Sequence, residues 1–370
     1  MEKTYFKNLD ATRAIAFFMV FGAHCFVTSN PDVLNNSLFQ SVNGFGKLGF
    51  LGLEYFFVLS SFLITWIALE EYKSKNFFSV KNFLIRRSLR VWPLYFLIII
   101  TTYIGYFFIK YIFNYELNEL PNICNFIFFI VNFYTIENGT NYLFFLVFLW
   151  SISIEEQFYI FWSLILKYFI KHLKIFSLAL IIISIIFRWY FYVIEPTKNI
   201  LYFHTFSAVG NFGIGSLVAL IAFNKTEFFN YIKNFSFFRS SLLYFLFIFL
   251  IFFYSHIFCY SYLIVFERLI FSLIFGYIII EQAFNNRAFF QFGKLNTITF
   301  LGKISYGLYC YHGIVITGLV FLLKVLEVKE NIYLTLFVYP IFILSLSIVV
   351  ANFSYKYLES WFLKLKKRFY

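Results

Sequence analysis

Residues 174–193 read KIFSLALIIISIIFRWYFYV, a run of 20 residues with two charged side chains. An α-helix of this length measures about 30 Å, the thickness of the hydrocarbon core of a bilayer. Nine further apolar stretches of comparable length occur at residues 13–29, 48–69, 90–113, 143–166, 203–223, 240–256, 260–280, 304–323 and 332–355. The sequence therefore predicts an all-α fold, a polytopic transmembrane helical bundle of about ten helices.

The overall composition is typical of a membrane protein. Of 370 residues, 61% are hydrophobic and 26% aromatic, and only 13% are charged, whereas soluble domains carry about 25% charged residues. So few polar side chains could not cover a water-exposed exterior. The four cysteines lie far apart and form neither a disulfide framework nor a metal knuckle, and we predict no metal site. Disorder and a soluble nucleic-acid-binding domain are both disfavoured.

The basic residues predict the orientation of the chain. If both termini are cytoplasmic, 23 of the 30 Lys and Arg residues lie on the cytoplasmic side and five on the outer side, as the positive-inside rule requires. The same placement accounts for the net charge of +12 without a nucleic-acid partner. We predict a multi-pass protein of the cytoplasmic membrane, with residues 1–370 as a single integral-membrane domain.

The first predicted helix contains Arg13 and His24. Their spacing of eleven residues corresponds to about 16.5 Å and to three turns plus about 20°. Both side chains would therefore share one helix face, with Asp10 as the N-cap, Arg13 at the cytoplasmic interface and His24 about halfway across the membrane. An imidazole facing the bundle interior suits a general base, because its unperturbed pKa is near 6.5. A hydrogen-bonded structural histidine is the alternative.

Three arginines precede the third predicted helix. Arg86, Arg87 and Arg90 cluster on one face if this segment is helical, and Pro93 then predicts the turn into the membrane. Guanidinium groups can bind phosphates through paired hydrogen bonds. An anchor for the topology is the alternative interpretation of the cluster.

The segment WSISIEEQFY at residues 150–159 places Glu155 and Glu156 near the outer end of a predicted helix. Adjacent helical positions point about 100° apart, so only one of the two carboxylates faces the interior. A bare carboxylate at that depth needs a partner or takes up a proton. An interfacial carboxylate in contact with water is the alternative.

The ninth predicted helix contains Ser305, Tyr309 and His312, spaced four and three residues apart on one face. Polar side chains along a membrane helix commonly join neighbouring helices, which is the alternative to a functional role here. Intramembrane charges are candidates for function by default. Four further ones are predicted to be ion-pair partners of one another: Glu54, Arg188, Glu267 and Arg268.

The order and spacing of six segments resemble the acyltransferase-3 family of integral membrane O-acyltransferases. The segments are residues 9–16 (LDATRAIA), 55–64 (YFFVLSSFLI), 83–95 (FLIRRSLRVWPLY), 150–159, 302–312 (GKISYGLYCYH) and 355–359 (YKYLE). The chain departs from the family pattern at Ala11, Ser61 and Trp361, where Gly, Gly and Pro are usual. Ser61 is still small enough for a close helix contact. The resemblance implies the short form, without an appended extracellular hydrolase-like domain.

This resemblance implies a ten-helix enzyme of a bacterial membrane. Such enzymes transfer an acyl group, commonly acetyl from acetyl-CoA, to a hydroxyl of surface polysaccharide, lipopolysaccharide or peptidoglycan. Acyl-CoA is then a co-substrate and no cofactor is tightly bound. The resemblance also implies functional roles for the residues that match the family motifs, namely Arg13, His24, Arg87, Arg90, Trp150, Ser151 and Glu155.

Roles follow for the candidate residues. His24 is predicted to deprotonate the acceptor hydroxyl or to carry the acyl group as an acyl-imidazole, with Glu155 as a second catalytic candidate. The predicted acyl-CoA-binding residues are Arg13, Arg86, Arg87 and Arg90. The predicted acceptor-side residues are Trp150, Ser151, Ser305, Tyr309 and His312. Because the basic entrance and the carboxylate segment are expected on opposite membrane faces, a cross-membrane relay of the acyl group is conceivable.

A transporter or flippase for a lipid-linked glycan is the alternative function, with the same charges lining a substrate path. The sequence lacks internal repeats and matched broken-helix signals, which disfavours this class. The predicted partners are acyl-CoA, a carbohydrate or lipid-linked glycan acceptor, and membrane lipid. No nucleic acid is expected, and the oligomeric state is left open.

Overall fold

The computed structural model describes residues 5–112, 118–194, 198–259, 261–285 and 290–369, and within them the chain is helical without a β-strand. The α-helices are α1 Lys7–Gly22, α2 Pro31–Leu34, α3 Ser37–Gly46, α4 Phe50–Lys75, α5 Val80–Phe107, α6 Ile123–Ile127, α7 Val131–Asn138, α8 Phe144–Val147, α9 Leu149–Tyr168, α10 Leu173–Ile194, α11 Lys198–Phe203, α12 Thr205–Phe223, α13 Glu227–Lys233, α14 Phe237–Phe252, α15 Glu267–Phe284, α16 Asn296–Lys303, α17 Ser305–Val325, α18 Tyr339–Ser354 and α19 Ser360–Lys366. Each of the ten predicted stretches overlaps at least one of these helices, and the all-α prediction is confirmed.

Several helical stretches match the bilayer in length and apolarity. Among the described residues, seven are long and apolar enough to cross a membrane: Ser37–Lys75, Val80–Tyr111, Phe144–Tyr168, Ile170–Ile194, Asn199–Phe223, Ser305–Val325 and Leu334–Phe369. Counting α13 and α14, which are bent by 87°, as one span gives eight. On α10 the side chains of Ile175, Ile186 and Val193 are exposed, which is favourable in lipid and costly in water. The protein is a multi-pass membrane protein.

The helix that carries the arginine cluster begins earlier than predicted. The Ser79 side chain caps α5 by accepting a hydrogen bond from the backbone N–H of Asn82, and the helix continues without interruption through Pro93. The prediction that Pro93 marks a turn into the membrane is therefore wrong. Proline is tolerated inside a membrane helix where neighbouring groups satisfy the freed backbone carbonyl.

The chain forms two compact units, each assembled from three segments. The first unit comprises Met1–Met19, Phe50–Phe78 and Phe161–Lys303, and the second comprises Val20–Gly49, Ser79–Ile160 and Ile304–Tyr370. Each unit therefore combines residues that are far apart in the sequence.

In the first unit, α12 packs against both α4 and α10. A Cβ atom at Gly215 of α12 would lie 2.1 Å from the carbonyl oxygen of Val58 on α4, so only glycine permits this approach. Beside it, the Ser61 hydroxyl donates a 2.6 Å hydrogen bond to the carbonyl of Phe212. The close helix contact expected at Ser61 is confirmed.

The four intramembrane charges form two buried ion pairs in the first unit. Arg188 Nη2 lies 3.2 Å from Glu267 Oε2, and Arg268 Nε lies 3.3 Å from Glu54 Oε1. All four side chains are buried. Each charge is thereby compensated within the apolar interior, and the predicted ion pairing is confirmed.

In the second unit, hydrogen bonds from side chains to the backbone join the principal helices. The Tyr306 hydroxyl of α17 donates to the carbonyl of Val91 on α5 at 2.7 Å. Gln157 of α9 donates to the carbonyl of Phe129, which precedes α7, at 2.6 Å. The first bond joins α17 to α5, and the second joins α9 to the segment that precedes α7. Helices α5, α9 and α17 carry most of the candidate site residues.

The predicted orientation can be tested with reporters. Because of the bias in basic residues, a reporter fused after Tyr370 is expected to be active only in the cytoplasm. A reporter inserted at the exposed end of α7, after Asn138, is expected to report from outside. Alkaline phosphatase and green fluorescent protein fusions measure the two locations. A cytoplasmic signal at Asn138 would contradict the assignment of faces.

Candidate active site

His24 lies just beyond the end of the first helix. Helix α1 ends at Gly22, and the backbone N–H of His24 bonds the Phe21 carbonyl in the turn that follows. The prediction that Arg13 and His24 share one helix face is therefore wrong. Hydropathy did not reveal this helix end, because the apolar run continues to Val27.

Two contacts fix the turn that carries His24. A Cβ atom at Gly46 of α3 would lie 2.4 Å from the Gly22 carbonyl oxygen, so a glycine is required for α3 to approach the end of α1. Beyond the turn, the Glu330 carboxylate accepts the backbone N–H of Ser29 at 2.8 Å. The segment on each side of His24 is thus held in place.

His24 pairs with His312, a fully buried residue of α17. Its Nδ1 atom lies 3.4 Å from Nε2 of His312. Nδ1 of His312 lies 2.7 Å from the Tyr309 carbonyl oxygen, which can only accept, so Nδ1 carries the proton and Nε2 is the acceptor. The hydrogen-bond network then assigns the proton of neutral His24 to Nδ1 and its lone pair to Nε2.

The Phe148 ring covers the histidine pair. It stacks on His312 with ring centroids 4.8 Å apart and an interplanar angle of 18°, and its centroid lies 4.5 Å from that of His24. A Cβ atom at Gly313 would lie 2.4 Å from this ring, so the glycine provides the space that the stacking needs. Sequence reasoning missed Phe148, since nothing distinguishes it among 60 phenylalanines.

The predicted acceptor-side residues are all buried. The Ser151 and Tyr309 hydroxyls lie 2.7 Å apart, and Tyr309 donates to the Phe148 carbonyl at 2.9 Å. Trp150 and Ser305 are also buried. The two hydroxyls join α9 to α17, as expected of residues that connect helices, and Tyr309 precedes His312 by about one turn of α17.

The arginines of α5 have different environments. Arg86 is buried and donates to the carbonyl of Phe369 at 2.7 Å, which favours a role in holding the C-terminal segment over the predicted phosphate contact. The Arg87 guanidinium is half-buried and lies 5.4 Å from the centroid of the Tyr159 ring. Cation–π contacts of this kind orient an arginine and keep its charge.

Arg90 faces an acidic residue that sequence reasoning assigned no role. It interacts electrostatically with Glu359, which is buried and accepts a hydrogen bond from Ser354 at 3.4 Å. A Cβ atom at Gly307 would lie 3.1 Å from this carboxylate. Arg90 and Glu359 therefore form a charged cluster beside the first turn of α17.

Arg13 lies in the first unit, whereas the α5 arginines lie in the second. Its Nη1 atom is 2.5 Å from Oδ1 of Asp10, and the Tyr5 hydroxyl donates to the other oxygen of the same carboxylate. Asp10 was expected to be the N-cap, but α1 begins at Lys7, which places Asp10 inside the first turn. The Arg13 guanidinium is consequently held by an i,i+3 ion pair.

The two adjacent glutamates are buried to different extents. Glu156 is 5% exposed, and its Oε2 atom accepts a 3.1 Å hydrogen bond from the Trp92 indole N–H. Its Oε1 atom is buried without a hydrogen-bond partner. Glu155 is half-buried and accepts the Tyr159 hydroxyl at 2.6 Å. The interior-facing carboxylate is thus Glu156, whereas the sequence motif pointed to Glu155.

The arginine cluster and the carboxylates are neighbours. Arg87 contacts Tyr159, which donates to Glu155, and Trp92 donates to Glu156. The prediction that they lie on opposite membrane faces is wrong. Because α5 begins at residue 80, its arginines lie about 10–15 Å inside the helix and reach the level of the α9 carboxylates.

Comparison with known proteins assigns the family. Residues 6–356 match the Acyltransferase domain that defines the acyltransferase-3 family. The chain belongs to the acyltransferase-3 family. The family match covers nearly all of the acyltransferase-3 chain and includes each of the candidate site residues.

Relatives of this acyltransferase-3 protein occur in several bacteria. A Staphylococcus aureus protein, provisionally named an O-acetyltransferase, is 27% identical over 374 aligned residues, which cover 97% of this chain and 58% of the relative. The peptidoglycan O-acetyltransferase OatA of Listeria monocytogenes is 30% identical over 47% of this chain and 26% of its own length. A Bacillus subtilis protein, provisionally named a peptidoglycan O-acetyltransferase, is 31% identical over 44% of this chain. The acyltransferase-3 chain thus spans 58% of the length of the staphylococcal relative, and no solved structure matches it.

Proposed function

We propose that this acyltransferase-3 protein is an O-acetyltransferase of the bacterial cytoplasmic membrane, which transfers acetyl from acetyl-CoA to a hydroxyl of a cell-surface carbohydrate. The names of its relatives favour O-acetyl transfer, with peptidoglycan as one candidate acceptor. The observation that carries the proposal is the His24–His312 pair. In this pair, His24 is a titratable ring with a defined tautomer, and the Phe148 ring packs over it.

The tautomer of His24 determines the reaction it supports. His24 Nε2 takes the proton of the acceptor hydroxyl while the oxygen attacks the thioester carbonyl carbon. A C–O bond forms and the C–S bond breaks. The proton on His24 Nε2 then passes to the departing CoA thiolate. His312 Nε2 keeps its hydrogen bond to the Nδ1 proton of His24 throughout the reaction. It thereby stabilises the transient imidazolium of His24, as a hydrogen-bonded partner does in other histidine bases.

The donor side of the site is formed by α5. Arg87 and Arg90 are half-buried and lie on the same helix face. Guanidinium forks of this kind suit the phosphates of CoA. We assign the phosphate contacts to these two residues, and Arg86 to the support of the C-terminal segment.

The experiment that tests this function is acetyl transfer by the purified protein. With radiolabelled acetyl-CoA and isolated cell-envelope glycan, we expect label in the glycan as an alkali-labile ester. Release of free CoA without an acetylated product would contradict O-acetyl transfer. Movement of a lipid-linked glycan across vesicle membranes without acetylation would favour the transporter class instead.

Replacement of Arg87 or Arg90 by lysine is expected to change KM for acetyl-CoA and to leave KM for the acceptor unchanged. Lysine cannot reproduce the paired hydrogen bonds of a guanidinium group, so Arg87→Lys and Arg90→Lys should each raise KM for acetyl-CoA about tenfold or more. KM for the acceptor should not change. Arg239→Lys is the matched control, because Arg239 lies over Tyr231 at the same 5.4 Å as Arg87 over Tyr159. An unchanged KM for acetyl-CoA in the α5 variants would contradict the phosphate contacts and would favour the interpretation of these arginines as topology anchors.

A further inference from the structure

The Glu156 carboxylate has one atom that no group in the described part of the chain satisfies. It is 5% exposed, its Oε2 atom is bonded by Trp92, and its Oε1 atom is buried without a hydrogen-bond partner. An unsatisfied oxygen of a buried carboxylate is costly, more so than that of a neutral group. Such an atom in a native fold indicates a partner that binds there.

Among the other buried carboxylates of the described residues, only Glu54 also has an oxygen without a hydrogen bond, and that oxygen lies 3.3 Å from the Arg268 guanidinium. Three of these other carboxylates form ion pairs, namely Asp10 with Arg13, Glu54 with Arg268 and Glu267 with Arg188. The other two accept hydrogen bonds from hydroxyl groups, Glu281 from Tyr244 and Tyr277, and Glu359 from Ser354. Glu156 has only an indole N–H, together with the electrostatic influence of Arg87. Its Oε1 atom is therefore a hydrogen-bond acceptor to which no group of the described residues donates.

The position of Glu156 restricts which molecule can supply the missing donor. Arg87, a proposed phosphate ligand, and Tyr306 of α17 both lie within electrostatic range of Glu156. His312 follows Tyr306 by six residues, or about 9 Å along the helix. Glu156 is therefore a neighbour both of the proposed phosphate site and of the helix that carries His312, as a contact to the arm between phosphates and thioester requires.

We propose that Glu156 Oε1 accepts an amide N–H of the pantetheine arm of acyl-CoA, and so selects a donor whose arm carries amides. This inference rests on the proposed function, because it takes acyl-CoA as the donor. The arm has two secondary amides, and each N–H needs an acceptor when it leaves water. A carboxylate provides a charge-assisted bond, which is stronger than a neutral one.

Trp92 makes Glu156→Gln an informative change. The indole N–H can only donate, so the side-chain amide introduced by the exchange must present its oxygen to Trp92. The NH₂ group then occupies the position of Oε1 and turns an acceptor into a donor. An amide N–H of the ligand would meet another N–H at that position, so the exchange removes the bond and adds a repulsive contact while side-chain size is kept.

The test compares CoA with an adenine nucleotide that has the 3′-phosphate of CoA but not its pantetheine arm. Purified protein in detergent is titrated calorimetrically with CoA and with adenosine 3′,5′-bisphosphate, which lacks the arm. Glu156→Gln should weaken CoA binding by about tenfold to a hundredfold and leave adenosine 3′,5′-bisphosphate unchanged, which also shows that the variant is folded. Arg87→Lys should weaken both ligands. Glu137→Gln is the control, since Glu137 is an exposed carboxylate of the same unit, and it should bind both ligands as the unmodified protein does.

The outcomes separate this inference from the proposed function. Equal CoA affinity of Glu156→Gln and the unmodified protein would overturn the contact with the arm. Equal losses for CoA and adenosine 3′,5′-bisphosphate would also overturn it and would indicate a general disturbance of the site. If the unmodified protein binds CoA but transfers no acetyl, the proposed function fails and the inference is still decided by the two titrations. If the unmodified protein binds neither CoA nor adenosine 3′,5′-bisphosphate, both the proposed function and the inference about Glu156 fail.

Discussion

His24→Ala is expected to lower kcat for acetyl transfer by about 10²–10⁴-fold, the usual contribution of a general base. The variant should still insert into the membrane and bind CoA, because His24 lies in the turn after α1 and is separate from the α5 arginines. Steady-state kinetics with acetyl-CoA and glycan acceptor measure the effect. His172→Ala, an exposed histidine outside the α-helices, is the control and should retain full activity.

His24→Gln separates a base from a structural histidine. Glutamine keeps the ability to hydrogen-bond His312, which lies 3.4 Å from His24, but it cannot take up a proton in the working pH range. We therefore expect it to be nearly as inactive as the alanine variant. If His24→Gln retains most of the activity, His24 only orients other groups, and Glu155 and His312 become the next candidates.

Glu267→Leu is expected to lower the free energy of unfolding by about 3–5 kcal/mol, the cost of leaving one member of a buried ion pair uncompensated. Glu267 neutralises Arg188 at 3.2 Å and accepts the Tyr254 hydroxyl at 2.6 Å. After the exchange, the Arg188 charge remains in an apolar interior with carbonyl and hydroxyl acceptors but without its ion-pair partner. Denaturant unfolding in detergent micelles measures the change.

The control for this measurement is Glu227→Gln, a change in the first turn of α13 where the carboxylate is exposed. Exposed charges contribute about 0–1 kcal/mol, so this variant should unfold at nearly the same denaturant concentration as the unmodified protein. A Glu267→Leu variant of unchanged stability would mean that water reaches Arg188. The buried pair would then not stabilise the first unit.

Helix content and ion pairing were predictable because both follow from local or compositional rules. A run of about 20 apolar residues forms a helix in lipid, where every backbone polar group needs an internal partner. A charge in such a run needs an opposite charge, which led to the pairs Arg188–Glu267 and Arg268–Glu54. Neither argument depends on how the helices are arranged.

Helix ends were less predictable, and errors in them altered the description of the site. The apolar run that starts at residue 13 extends past Gly22, where α1 ends, and the basic segment before residue 90 is already helical. Hydropathy reports which residues prefer lipid, and it does not report where the backbone turns. The predicted alignment of Arg13 with His24 and the predicted separation of Arg87 from Glu155 both failed for this reason.

The amino-acid sequence by itself determined the membrane class, the approximate positions of the helices, the acyltransferase-3 resemblance and the set of titratable candidates, since these depend on composition, spacing and motif order. Only the tertiary structure decided that His24 meets His312, that Phe148 covers both rings and that Glu156 has a buried oxygen without a hydrogen-bond partner. These contacts join residues as many as 288 positions apart. Their geometry depends on which helix faces pack together, and helix-face packing is not encoded in any single segment.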